Sequence, residues 1–347
     1  AAMVNRFFGM VNSLLKKWFG AQVIRSSELA DLRRRAGLLA RPASGAAALP
    51  EGAAEYLRAD NSRLRELKSK LKALDHPAAQ HSQWTDQYVS GELDLQYFRG
   101  DNAFVWQERD RNTEGKHILS AHHLRQFDDL GLLRRLKEDG VFGAQVHRLD
   151  DDVIVSRDLL DSIVQAYFLE RHLGISKRPG LAMLDIGAGY GRLAHRMVTA
   201  FAAIGKYICV DAVAEATFVS EYYLRFRGVG ARAEAVPLYD IEAALEGHAV
   251  QLAVNIHSFS ECSLAAIEWW LDLLGKRRVR HLLLIPNADT HGGTKLLSAE
   301  PDGRRLDLLP SIAARGYRLT VREPKFSDPD VQRHGISPTY HYLFELS

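Results

Sequence analysis

Downstream of Arg178 the chain alternates between short apolar runs and longer stretches in which apolar residues return every three or four positions. The runs Leu181–Ile186, Lys206–Asp211, Ala231–Val236, Gln251–Ile256 and Val279–Ile285 predict strands, since a strand covered on both faces is apolar at successive positions. Between them Arg192–Ala203, Val213–Arg227, Ile241–Glu246 and Ser263–Gly275 predict helices, and Tyr317–Val321 with Tyr340–Leu346 closes the pattern as a strand pair. Such alternation predicts an α/β domain with a doubly wound, largely parallel sheet of seven strands, spanning residues 178–347. Ligands of such sheets bind at the carboxyl ends of the strands, near the point where strand order reverses.

The upstream half carries helical patterns. Residues 1–40 predict amphipathic helices: in 4–23, Val4, Phe7, Phe8, Leu14, Leu15, Trp18 and Phe19 form one apolar stripe, and Arg6, Lys16 and Lys17 lie opposite. That pattern suits either peripheral contact with a membrane surface or packing against protein, including a second copy of the chain. Residues 41–54, rich in Ala, Gly and Pro, read as a linker. In 55–80 the series Leu57, Leu64, Leu71, with Leu67 and Leu74 offset by three, predicts either a short coiled coil that would make a homodimer or an amphipathic helix lying on the sheet domain. Residues 81–177, with helical stretches at His122–Glu138 and Ser156–Leu173, predict a helical cap, and the Lys177-Arg178-Pro179-Gly180 break ends it.

Charge narrows the partners. Among 347 residues, 45 basic and 43 acidic side chains nearly cancel at +2, so no global field attracts nucleic acid, and none is expected as substrate. Two cysteines, Cys209 and Cys262, lie beside apolar runs and read as buried thiols of a cytoplasmic protein rather than metal ligands. No run approaches the roughly 18 apolar residues of a membrane span, which leaves the inner membrane face as the place for any peripheral contact.

The first strand ends in Leu184-Asp185-Ile186-Gly187-Ala188-Gly189-Tyr190-Gly191-Arg192, a G-x-G-x-G turn leading straight into a helix. Glycines allow a tight turn and close ligand approach, and the helix N-terminus adds unpaired N–H donors. A dinucleotide fingerprint requires glycine where Arg192 stands, which argues against NAD. The second strand ends in Asp211, 20 residues beyond Gly191, where a carboxylate can accept hydrogen bonds from ribose hydroxyls. Asp185, inside an apolar strand, needs buried partners, and the loop amides or the ligand itself would supply them.

The segments LDIGAGYGRLAHR, YICVDA and LAVNIHSFSEC resemble class I S-adenosylmethionine-dependent methyltransferases. GAGYGRL, NIHSFSE, PNAD and the helix VSRDLLDSIVQAYFL are similar, more narrowly, to a bacterial sugar O-methyltransferase family. The resemblance implies a Rossmann-like methyltransferase sheet that binds S-adenosyl-L-methionine and releases S-adenosyl-L-homocysteine. Gly187, Ala188, Gly189, Tyr190 and Gly191 would surround the methionyl portion, and Asp211 with Ala212 would hold the ribose. Leu238 and Tyr239 would meet the adenine, and Asp185, Asn255 and Arg157 would complete the cofactor site. The acceptor implied is a sugar hydroxyl of a glycan, glycolipid or glycosylated metabolite, methylated in line; the alternatives are a small natural product, or a cofactor-binding scaffold without catalysis.

A sugar hydroxyl is a poor nucleophile at neutral pH, so a general base is expected at the mouth of the fourth strand, where Asn255-Ile256-His257-Ser258-Phe259-Ser260-Glu261 gathers polar groups. His257 is the first candidate, with Glu261 orienting it or acting instead. Asn287, Asp289 and His291 after the fifth strand are expected to touch substrate. His334, in the long Ser327–Pro338 segment, would belong to a substrate lid.

Overall fold

The computed structural model describes residues 41–42, 49–80, 84, 88–89, 93–100, 113–150, 153–287 and 294–347. Seven strands form the main sheet: β1 (Leu181–Ile186), β2 (Ile204–Asp211), β3 (Ala233–Pro237), β4 (Leu252–His257), β5 (His281–Pro286), β6 (Tyr317–Pro324) and β7 (Tyr340–Leu346). Their order is β3-β2-β1-β4-β5-β7-β6, parallel except for β7, which runs antiparallel to both β5 and β6. This is the expected Rossmann-like, doubly wound sheet. Strand order reverses between β1 and β4, and the register pairs Ile186 with Val210 of β2 on one side and Asn255 of β4 on the other. The carboxyl ends of three strands therefore meet at one edge.

The helices that matter are α1 (Ser62–Lys72), α2 (Thr113–Arg125), α3 (Arg157–Leu173), α4 (Arg192–Ala200), α5 (Ala214–Phe226), α6 (Ile241–Glu246), α7 (Leu264–Lys276), α8 (Leu309–Ala314) and α9 (Pro329–His334). Alternation along β1 divides the core: Leu181 and Met183 join an apolar cluster with α2, α3 and α4, while Ala182, Leu184 and Ile186 join one with α1, α5, α6 and α7. Residues 113–173 thus supply cover for the sheet itself. Helix α3 starts where the Ser156 hydroxyl accepts the Leu159 amide and stops at Gly174 in the left-handed region.

One open alternative is resolved in favour of a helix lying on the sheet domain, and two expectations change. The leucine series is not an open coiled-coil seam: Leu57, Leu64, Leu67 and Leu71 are buried in the sheet's own core, and Arg63 and Lys68 of α1 pair with Glu221 and Glu215 of α5 at 2.6 and 2.5 Å. Asn61 caps α1 by accepting the Arg63 amide, so Leu57 stands outside the helix and the heptad is interrupted. The helix expected over His122–Glu138 is instead α2, which ends at Arg125, followed by a separate turn at Leu132–Arg135. Gly131 at φ +64° and the Asp128 carboxylate, which accepts the Leu132 and Leu133 amides, begin that turn. Ser327–Pro338 is no lid, because α9 packs on α2, the Asp328 side chain caps it, and the Ile336 amide is held by the Ser120 hydroxyl at 3.0 Å.

Arg41–Pro42 forms a small antiparallel sheet with His147–Arg148 and Ile154–Val155. The stripe in 4–23 lies outside the described residues. Among the described residues, no helix is long and apolar enough to cross a membrane.

Candidate functional site

The loop that leaves β1 lies at the switch point. Gly187, Gly189 and Gly191 take φ of +72°, +55° and +83°, in the region that side chains rarely adopt. A Cβ on Gly187 would fall 2.1 Å from Ser258 Oγ and one on Gly191 2.9 Å from Ser220 Oγ, so both positions are also closed by packing. At Gly189 nothing among the described residues lies within 4 Å of that position, which leaves space there for a ligand.

The Gly187 and Ala188 amides both donate to Val210 O, at 2.8 and 3.2 Å, which seats the loop on β2. One residue further, Asp211 accepts the Gly189 amide at 3.0 Å on one oxygen and the Val213 amide at 2.9 Å on the other. Burial pushes its carboxyl up to about 6, against the pull of the amides of Val213, Gly189 and Ala212. A carboxylate has about four lone-pair sites, so the three amides leave room for a further donor.

Other expected cofactor residues are placed differently. Asp185 does not bind the loop amides; it is buried against Tyr207, whose hydroxyl donates to it at 3.0 Å, and burial pushes it up to about 7. Asn255 is engaged within the protein: its amide nitrogen donates to Ile186 O at 2.8 Å and to Ser258 Oγ, and its oxygen accepts the Phe259 amide at 3.0 Å. It fastens the turn after β4 to the end of β1. Tyr190 lends its backbone to the loop, but its side chain turns into the protein beneath. Arg157 approaches Asp161 at 3.4 Å, and Asp161 also accepts from Lys325 Nζ at 2.5 Å. Leu238 and Tyr239 form a turn after β3 beside α1; Leu238 is buried, and the buried Tyr239 hydroxyl has no hydrogen-bond partner among the described residues.

His257 and Glu261 do not pair. His257 adopts φ +72°, and its charged surroundings are Arg157, Asp161, Arg192 and Lys325. Burial, reinforced by the three cations, pushes the imidazole down to about 3 and keeps it neutral. Glu261 lies in the turn Ser258–Glu261, where Trp84 Nε1 donates to one oxygen at 2.9 Å and Asn287 Nδ2 to the other at 3.3 Å. Burial pushes Glu261 up to about 7; Asp211 adds to the rise, and Arg305 opposes it. Asn287 thus joins the site, its own amide resting on Ser260 Oγ. His334 is exposed on α9 and does not join it, and Asp289 and His291 lie outside the described residues. Trp84 and Arg305 were not singled out from sequence: a lone Trp in a polar stretch and an Arg in a charged loop carry no periodic signal.

No protein-family model matches the chain, and no curated protein is similar to it in sequence. Among solved structures, Streptococcus pneumoniae Sp1610 in complex with S-adenosyl-L-methionine is 15% identical over 53% of this chain and 72% of that one, with a TM-score of 0.38. A SAM-dependent methyltransferase from Aquifex aeolicus is 15% identical over 52% of this chain and 87% of that one, at 0.38. The [4+2]-cyclase SpnF is 17% identical over 54% of this chain and 82% of that one, at 0.37. At these identities and scores the likeness carries no function.

Proposed function

We propose that the chain is an S-adenosylmethionine-dependent O-methyltransferase. The observation that carries this reading is the junction of Gly189 and Asp211: a glycine loop with open space at Gly189 among the described residues, tied through one amide to a buried carboxylate at the end of the neighbouring strand. A nucleoside fits such a junction because the remaining acceptor capacity of Asp211 suits a ribose hydroxyl. Arg192 stands where a dinucleotide fold needs glycine, and its side chain reaches across to α3 and donates to Ser162 Oγ at 3.0 Å, which argues against NAD. Gly187 to Gly191 would border the methionyl portion, and Leu238 and Tyr239 the adenine.

When bound, the cofactor supplies an electrophilic methyl group. The protein's part is to position the acceptor hydroxyl and remove its proton. Glu261 suits that task better than His257. A base titrating near 7 is half ionised at working pH and strong enough to take a proton, whereas an imidazole held near 3 is a weak base. Trp84 and Asn287 hold the Glu261 carboxylate from two sides. For the acceptor we favour a sugar hydroxyl, on the resemblance of the NIHSFSE and PNAD segments.

Calorimetry should detect S-adenosylhomocysteine binding and no NAD binding. Asp211→Ala should weaken S-adenosylhomocysteine by about 1.5–3 kcal/mol, the range for hydrogen bonds to a charged group; unchanged affinity would remove Asp211 from the site. The proposal extends to residues 4–23 as a reversible membrane contact, placing the enzyme beside lipid-linked glycans. Anionic vesicles should sediment the full chain but not one lacking residues 1–24, and equal sedimentation would end this part of the proposal.

A further inference from the structure

Tyr190 stands between Gly189 and Gly191, yet its ring lies beneath the loop, edge-on to Tyr223 at 5.0 Å and tilted against Phe98 at 5.4 Å. Its hydroxyl donates to Asp158, in the first turn of α3, and accepts from Arg99 Nε at 3.3 Å. Arg99 is fully buried and grips both oxygens of Glu138, at 2.9 and 2.8 Å. Glu138 in turn accepts from Ser156, the cap of α3, at 2.5 Å and from Arg196 of α4 at 3.0 Å. Helix α4 begins directly after Gly191, so one polar cluster holds the loop twice: from within, through Tyr190, and one helical turn beyond, through Arg196. Its members come from four separate stretches of chain, at residues 99, 138, 156–158 and 190–196.

We infer that Tyr190 is a positioning residue for the cofactor site, its hydroxyl holding the glycine loop in the shape that receives the ligand through Asp158 and Arg99. Left-handed glycines on both sides make the loop intrinsically free, because glycine has many accessible conformations. A side chain anchored between them removes that freedom before the ligand arrives, which raises affinity by pre-organisation rather than by contact. The loop's shape then depends on residue 99, outside the strand–helix unit that contains it. The inference rests on the proposed cofactor reading.

The test uses the full chain and S-adenosylhomocysteine as probe. Tyr190→Phe keeps the ring and removes the hydroxyl; Arg99→Lys keeps the charge beside Glu138 and removes the Nε donor. Tyr190→Phe should weaken S-adenosylhomocysteine at least tenfold and Arg99→Lys at least threefold, measured by calorimetry on protein shown to be folded. Amide hydrogen exchange across residues 187–191 should quicken in both variants relative to β1 and β2. If the unaltered chain binds the probe and both folded variants bind it equally well with unchanged exchange in the loop, the positioning role is wrong while the cofactor reading stands. If the unaltered chain binds none, the cofactor reading itself fails, and this inference with it. Should Tyr190→Phe not fold, Arg99→Lys decides alone.

Discussion

Glu138→Gln should lower the unfolding free energy by about 3–5 kcal/mol, the cost of breaking a buried ion pair from one side. Glu138 and Arg99 are wholly buried and Arg196 nearly so, and glutamine would leave two guanidinium groups facing a neutral amide. The existing charges have no easy release: the Glu138 carboxyl is strongly desolvated, but Arg99 and Arg196 hold it well below the usual carboxylate range. The sign of its pH effect follows. A carboxylate whose folded value is depressed contributes stability above its unfolded value, near 4.5, and loses that contribution as pH falls further. Urea denaturation at pH 7 checks the magnitude, and the same experiment toward pH 3 should find the parent chain losing this stability while Glu138→Gln has none of it to lose. A loss below 1 kcal/mol at pH 7 would mean that the cluster is decorative.

Glu261→Gln should reduce turnover roughly 10²–10⁴-fold, the range for loss of a general base, with S-adenosylhomocysteine affinity nearly unchanged. In the parent chain the rate should climb with pH through about 7, because the base works only when ionised and burial has raised its titration to that value. The variant should lose that limb. His257→Ala, by contrast, should leave the limb in place, since the imidazole stays neutral over the whole working range. If His257→Ala is the more damaging change at equal stability, proton removal belongs to His257 after all.

What could be read from the sequence was whatever depends on local pattern. β1 and β7 match their apolar runs residue for residue, and α6 does too. β2 begins two residues early, at Ile204, because the ladder to β1 skips Gly205 in a register shift and pairs Ile204 with Leu181, beyond an interruption that carries no apolar signal. α2 was misplaced for a physical reason: its buried face carries His117, Ser120 and His123 beside Ile118, Ala121 and Leu124, so hydrophobic periodicity does not mark it. At the site, the glycine loop and Asp211 were legible because tight turns and strand-end acids have fixed spacing. Asn255 was singled out, but for the ligand; that it fastens the turn to β1 was not legible, because its partner Ile186 O is 69 residues away. Nor was Arg99, whose role depends on Glu138 and Tyr190 folding around it. The His257–Glu261 pair failed because the left-handed backbone at His257 redirects the chain, something no residue type announces.

The docking of α1 on α5 also bears on how the chain is made. Arg63 and Glu221 are 158 positions apart, so α1 leaves the ribosome long before its partner surface exists. At roughly 5–20 residues per second, that interval is about 8–30 s. Throughout it the nascent chain presents Leu64, Leu67 and Leu71 without their cover, α5 being not yet synthesised, and a chaperone that shields short leucine-rich segments during translation would protect the chain over that interval.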